Sequence, residues 1–270
     1  MVTVGAPFAS ETPPLRWPAE AIWEAVAPLL PGFTVEVLPQ IASTNTELMR
    51  RARLGQSEPV LLVAEQQLAG RGRLGRQWQS RVGDSLTFSL GLRLGPPDWS
   101  GLSLAVGVCL AEALHPRIRL KWPNDLWLDD RKLAGILIET ASSTDADAGG
   151  AARYVVLGVG INIAAQPLAG LTTPSAVLRE LLPDIDAPLA LQAIVAPLVQ
   201  TLQAFETFGF APFQARFNAL DALRARPVAV TDGTVGTAHG VSETGALLVH
   251  TALGMRAVTS LEVSVRPAPV

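Results

Sequence analysis

Between two β-rich runs, Val60-Leu-Leu-Val-Ala64 and the strand pattern at 85–92, lies Glu65-Gln-Gln-Leu-Ala-Gly-Arg-Gly-Arg-Leu-Gly-Arg-Gln-Trp78. Three arginines and three glycines fall between Gly70 and Arg76. Such a stretch suits neither a core strand nor a buried helix. It reads as a loop in which glycines accept positive φ and let backbone approach a ligand closely. Arg71, Arg73 and Arg76 load that loop with donors whose fixed fork suits carboxylate and phosphate oxygens. The formal net charge is only −3, so the cluster is a local anion trap and not part of a basic surface.

Gly70-x-Gly72-x-x-Gly75 also fits the dinucleotide-binding spacing. That motif needs a helix opening on the glycines. Gln77 to Asp84 has no apolar 3.6-residue repeat, and arginines crowd the turn, so the Rossmann reading is set aside. The acidic balance argues against nucleic acid as the main partner. Cys109, the single cysteine, excludes an intramolecular disulfide, fits a reducing cytoplasm, and sits in an apolar run as a small buried hydrophobe. No stretch approaches the roughly 18 consecutive apolar residues of a membrane span, and no signal pattern opens the chain. The expectation is a cytoplasmic protein without membrane attachment.

The spacing predicts a loosely attached segment over the first 15 residues and a helix from Trp17 to Leu30. A strand follows at Phe33–Leu38, then a helix capped by Thr44 with Glu47 in a capping box. Further strands are expected at 60–66 and 85–92, and a helix at about 100–114. Ile118–Trp122 and Leu126–Leu128 flank a Pro-Asn-Asp turn, and Lys132–Glu139 and Tyr154–Ile163 are strong strands. Residues 141–152 read as an exposed loop. Ser175–Leu223 reads as two or three helices interrupted by prolines. From Pro227, short β runs punctuated by Asp232-Gly233, Thr244-Gly245 and Gly254 suggest a small barrel.

Five segments gather polar residues, three of them beside glycines: Ser43-Thr-Asn45, Gln67 to Arg76, Lys121-Trp-Pro-Asn-Asp125, Lys132-Leu-Ala-Gly-Ile136 and Gly158-Val-Gly-Ile-Asn162. In this order they closely resemble the biotin protein ligases, from about residue 40 to the end. The resemblance implies an α/β (α+β) fold, a mixed sheet with flanking helices followed by a small SH3-like C-terminal β-barrel. It divides the chain into an N-terminal extension with the first helix and strand (1–39), a biotin- and ATP-binding catalytic domain (40–222) and the small domain (225–270). It implies activation of biotin by ATP to biotinyl-5′-AMP, and transfer to a lysine of a biotin carboxyl carrier domain.

Carried over residue by residue, the resemblance assigns biotin to Ser43, Thr44, Asn45, Gln67, Gly70, Arg71, Gly72, Arg73, Lys132, Gly135, Gly158 and Gly160. It assigns ATP to Arg73, Arg76, Trp78, Asn124, Asp125, Lys132 and Asn162. Lys132 and Arg73 are the catalytic candidates, touching biotin carboxylate and α-phosphate. Magnesium would accompany ATP, with no direct ligand assigned and Asp125 nearest to it. Each assignment has a plainer counterpart. Ser43 and Thr44 are ordinary helix caps, the arginines a solvated loop, Lys132 a hairpin lysine beside Asp129 and Asp130, Asn124 and Asp125 turn formers, and Trp78 and Trp122 core aromatics. The arginine loop is expected to be mobile in the empty protein and to fold over ligand as a lid. A homodimer through sheet edges also enters with the resemblance. Lipoate ligation by a related fold and a non-catalytic biotinyl-AMP-binding module are the alternatives.

Some members of the family carry an N-terminal helix-turn-helix. Fewer than about 45 residues precede Ser43, so no operator binding is expected. Purified protein should give no sequence-specific gel shift at moderate salt.

Overall fold

The computed structural model describes residues 15–141, 152–165, 175–259 and 265–267. The expectations for the first 14 residues and for the loop interior at 142–151 lie outside these. Helix α1 (Ala19–Val26) follows Pro18, and its Ile22 and Val26, one turn apart, are buried. It stops short of the expected Leu30 because Pro28 has no N–H with which to extend the ladder. Strand β1 (Thr34–Ile41) leads into α2 (Thr44–Arg53). The cap of α2 is Ser43, whose side chain accepts from the Thr46 backbone N–H. The expected capping box on Thr44 therefore does not form. Glu47 instead pairs along the helix with Arg50 and Arg51, which hold its carboxyl down at about 2.

Strand β2 (Val60–Gln67) is followed by the arginine loop, a miniature ribbon of β3 (Gly70–Arg71) and β4 (Gln77–Trp78) closed by a 3-10 turn at Arg73–Gly75. Gly75 (φ +71°) takes the left-handed conformation there, as does Leu74 (φ 56°). After it come β5 (Ser85–Leu94), α3 (Leu102–Leu114), β6 (Arg119–Lys121), β7 (Asp125–Leu128), β8 (Arg131–Ala141) and β9 (Arg153–Asn162). The seven long strands form one sheet in the order β1-β2-β5-β9-β8-β7-β6. Only β1 and β2 are parallel, joined through α2; every other neighbour is antiparallel.

Side chains alternate between the two faces of a strand. On β5 the even positions Leu86, Phe88, Leu90 and Leu92 are buried in the main core with Leu157, Val159 and Ile161 of β9 and the apolar residues of α3. The odd positions Ser85, Thr87, Ser89 and Gly91 face the opposite side, paired in register with Asn162, Gly160, Gly158 and Val156. That side is covered partly by α2, through a small cluster of Leu48, Met49, Val60, Leu62, Tyr154 and Val156. Elsewhere its small residues leave a trough.

Helix α4 (Ala187–Phe208) starts on Asp186, which accepts from the Leu189 N–H, and runs unbroken through Pro197. The prolines thus interrupt less than expected. Ala193, whose carbonyl loses its partner to Pro197, is exposed, so the broken bond falls on the solvent side. By length and composition alone α4 could cross a membrane. Its apolarity is accounted for by Leu191, Ile194, Val195, Leu198, Val199, Leu202 and Phe205 buried in the main core.

Helix α5 (Ala211–Leu220) leads to β10 (Pro227–Val230), β11 (Val235–Val241), β12 (Leu247–Thr251), β13 (Gly254–Val258) and β14 (Val265–Pro267). These form an antiparallel sheet in the order β13-β12-β11-β10-β14. It is tied to the larger sheet directly and through α5 and the connection that follows it. The Trp122 indole donates to the Gly245 carbonyl at 3.0 Å, Gln214 donates to the Val241 carbonyl at 2.9 Å, and the Ala222 N–H donates to the Leu120 carbonyl at 2.8 Å.

Asp221 lies at that junction. One carboxyl oxygen accepts from the Leu223 N–H at 2.8 Å, while the other is buried without a partner. Burial pushes its pKa up to about 6 from 3.8. The folded protein therefore favours the neutral acid; that contribution is complete below about pH 4 and is lost as pH rises through about 6. Asp221→Asn, neutral throughout, should gain roughly 1–2 kcal/mol on the parent at pH 8, allowing for partial solvent screening, and nothing at pH 4. Urea melts at the two pH values measure this.

Candidate active site

The trough opens into a cleft of about 210 Å³ between the sheet, the start of α2, the arginine loop and β14. One end is polar and buried. The Thr44 N–H and hydroxyl lie 2.7 and 3.2 Å from Gln67 Oε1. The Ser89 hydroxyl lies 2.6 Å from both Thr44 Oγ1 and Asn45 Oδ1. The Asn45 amide donates to the Leu137 carbonyl at 3.3 Å and to Glu139 at 3.0 Å. Ser43, Thr44, Asn45 and Ser89 are each 4% exposed or less, so mutual hydrogen bonds offset desolvation. Ser43 caps α2, whereas Thr44 is engaged by Gln67 instead, and both side chains line the cleft.

The other end is cationic. Arg71, Arg73, Arg76, Lys121, Lys132 and Arg266 line the cleft, with Asp125 the sole carboxylate among its described lining residues. Lys132 Nζ is 2.7 Å from Asp125 Oδ1, and Lys121 Nζ is 3.9 Å from Oδ2. Burial lowers the Lys121 pKa below its ordinary value, opposed by Asp125. Burial does the same to the Arg73 guanidinium, again opposed by Asp125. Clustered and partly desolvated, these cations repel one another, and an anionic ligand relieves that repulsion.

Two asparagines set the frame. Asn124 donates to the Ile136 carbonyl at 2.8 Å and takes the Ile136 N–H on its own carbonyl at 3.0 Å. Asn162 donates to the carbonyls of Lys132 and Ala176 at 3.3 and 3.1 Å, fixing where the Lys132 side chain departs from β8. Among the described residues no group of three or more His, Cys, Asp or Glu side chains could hold a metal. Asp125 is already matched by two lysines, so this donor set does not make a resident magnesium site.

The glycines act at one remove. An added Cβ at Gly158 would lie 2.1 Å from Asn45 Oδ1, at Gly160 2.3 Å from the Trp78 indole, and at Gly135 3.1 Å from Lys132 Nζ. At Gly70 it would lie 2.4 Å from the Trp78 carbonyl. Their bareness admits the side chains and backbone that shape the cleft. Every residue assigned from the sequence lines the cleft except Gly70, which borders a neighbouring hollow with Gln67, Ser80 and Trp78. Trp78 is half-buried and lies against Gly160, whereas Trp122 is wholly buried. The sequence reading missed Ser89, Glu139, Lys121 and Arg266. Alternation along β5 was the available signal for Ser89, and Lys121 stood inside a quoted motif. Arg266 carried no local signal, because it arrives from the other sheet.

Gly160→Ala must displace the indole and should cost about 1–3 kcal/mol, as overpacking does. Gly75→Ala meets open space and should cost only the left-handed backbone penalty, about 1–2 kcal/mol. Thermal melts, with biotin titrated into each variant by calorimetry, should show the cleft disturbed by the first substitution far more than by the second.

Residues 37–162 match the Biotin/lipoate A/B protein ligase family, and residues 226–266 match the Biotin protein ligase C terminal domain. The chain is 38% identical over 232 residues to the bifunctional ligase/repressor BirA of Escherichia coli K12, covering 82% of this chain and 70% of that protein. It is 32% identical to the biotin–[acetyl-CoA-carboxylase] ligase of Paracoccus denitrificans, covering 84% of this chain and 98% of that one. The biotin protein ligase of Aquifex aeolicus, solved with biotin and ATP, superposes with a TM-score of 0.73 at 27% identity, covering 87% of this chain and 99% of the other. A mixed sheet with a C-terminal antiparallel sheet beside it is thus shared with biotin protein ligases, and the chain belongs to the biotin protein ligase family.

Proposed function

We propose that the chain activates biotin with ATP to biotinyl-5′-AMP and transfers the biotinyl group to a lysine of a biotin carboxyl carrier domain. The observation that carries this is the position of Lys132. Its ammonium is 2.7 Å from Asp125 and lines one continuous cleft with Thr44 and Gln67 at the polar end and the arginine loop at the other. The buried polar end supplies donors and acceptors suited to the ureido ring. The cationic end receives the carboxylate and the phosphates.

In the first step a biotin carboxylate oxygen attacks the α-phosphorus of ATP. The bond from that phosphorus to the bridging oxygen breaks, and pyrophosphate leaves. Both reactants are anions, so the barrier is largely one of bringing them together. Fixed positive charge and positioning lower it without a side-chain nucleophile. Lys132 exchanges part of its contact with Asp125 for the incoming oxygens, while Arg73 and Arg76 cover the phosphates. In the second step the ε-amine nitrogen of the carrier lysine attacks the acyl carbon. The bond to the phosphate oxygen breaks, AMP leaves, and the amine's proton passes to solvent. Magnesium carried on the nucleotide's phosphates would balance part of their charge, with no protein ligand assigned to it. The arginine loop acts as the lid over the adenylate.

Lys132→Ala should reduce biotin-dependent pyrophosphate release by about 100-fold or more, with the melting profile preserved. Assays with biotin or lipoate, with and without apo carrier domain, separate ligation from its rivals. Lipoate-dependent release in place of biotin-dependent release, or tight biotinyl-AMP binding without carrier labelling, would each overturn the reading.

A further inference from the structure

Glu139 stands on β8, on the same sheet face as Gly135 and Leu137, and divides its carboxylate between two elements. One oxygen accepts from the Asn45 amide at 3.0 Å; the other is ion-paired with Arg71 of the loop. These partners are 94 and 68 residues away in sequence, and they differ in setting. Asn45 is buried at the polar end of the cleft, whereas Arg71 is half-exposed. An ion pair of that exposure adds little to global stability. Its consequence is positional.

Inside the loop, the β3–β4 pairing and the bond from the Gly72 N–H to the Arg76 carbonyl at 2.7 Å give the ribbon its shape. Trp78 of β4 packs against Gly160 of the sheet, and the Glu139–Arg71 contact adds a polar tie from β3. The same carboxylate also orients Asn45. With its amide nitrogen held by Glu139 and the Leu137 carbonyl, its oxygen is left facing Ser89.

We propose that Glu139 is a positioning residue that latches the arginine loop closed and couples that closure to the orientation of Asn45 at the polar end of the cleft. The proposal rests on the ligase reading for its kinetic consequence but not for its structural one. In the latched state Arg71 is turned toward Glu139.

The test is amide hydrogen exchange across residues 70–78 of the unliganded full chain, in the parent, E139Q, E139D and the reversed pair R71E/E139R. Pyrophosphate release is measured beside it as biotin is varied. E139Q should speed exchange at Gly72 on the order of threefold to tenfold and raise the KM for biotin by a similar factor, with kcat within about twofold. E139D, which keeps the charge, should fall between E139Q and the parent. R71E/E139R should restore loop protection but not the KM, because an arginine at 139 cannot accept from Asn45. Unchanged exchange in E139Q, or a reversed pair as unprotected as E139Q, overturns the latch. A parent protein without biotin-dependent pyrophosphate release overturns the ligase reading instead, while the exchange data still decide the latch.

Discussion

The cleft exists because part of one face of the central sheet carries almost no bulk. At every second position β5 and β9 present Ser85, Thr87, Ser89 and Gly91 beside Asn162, Gly160 and Gly158, while the intervening leucines, valines and Phe88 are buried in the core beneath. Asn45 and Trp78 then occupy space that a Cβ would fill. Glycine costs a strand stability, and here that cost is offset by a core face that is nearly continuous Leu and Val. The sheet is rigid on one side so that it can be hollow on the other.

Charge is concentrated in the same economical way. A chain of net charge −3 gathers six cationic side chains around one cleft, where Asp125 is the counter-ion of Lys121 and Lys132 and Glu139 that of Arg71. Buried cations without anions nearby are costly, and burial lowers the pKa of both Lys121 and Arg73. A ligand bearing phosphates and a carboxylate completes the balance. Substrate affinity on this view is partly the relief of strain that the folded protein already contains.

Much of this was legible residue by residue. The strands from Val60 to Gln67, Ser85 to Leu94 and Arg153 to Asn162 follow from apolar runs, and the motifs containing Lys132 and Asp125 stand out because polar residues interrupt such runs. The errors have local causes. The first helix is shorter than its periodicity suggests because Pro28 ends it, and α4 is longer because Pro197 loses its bond on the solvent side. The cap moved from Thr44 to Ser43 because Thr44 is committed to Gln67, a partner 23 residues away.

The sequence alone determined which elements form and where chemistry gathers along the chain, since hydrophobic period, turn residues and a glycine–arginine loop are local properties. Only the tertiary structure decided what those residues face. Glu139 read as the end of a strand until β8 aligned it with Asn45 and Arg71. Arg266 was a residue near the chain's end until β14 carried it to the cleft. The physical reason is separation: each of these contacts joins residues tens of positions apart, and sheet order, which no local pattern encodes, sets which distant side chains share a face.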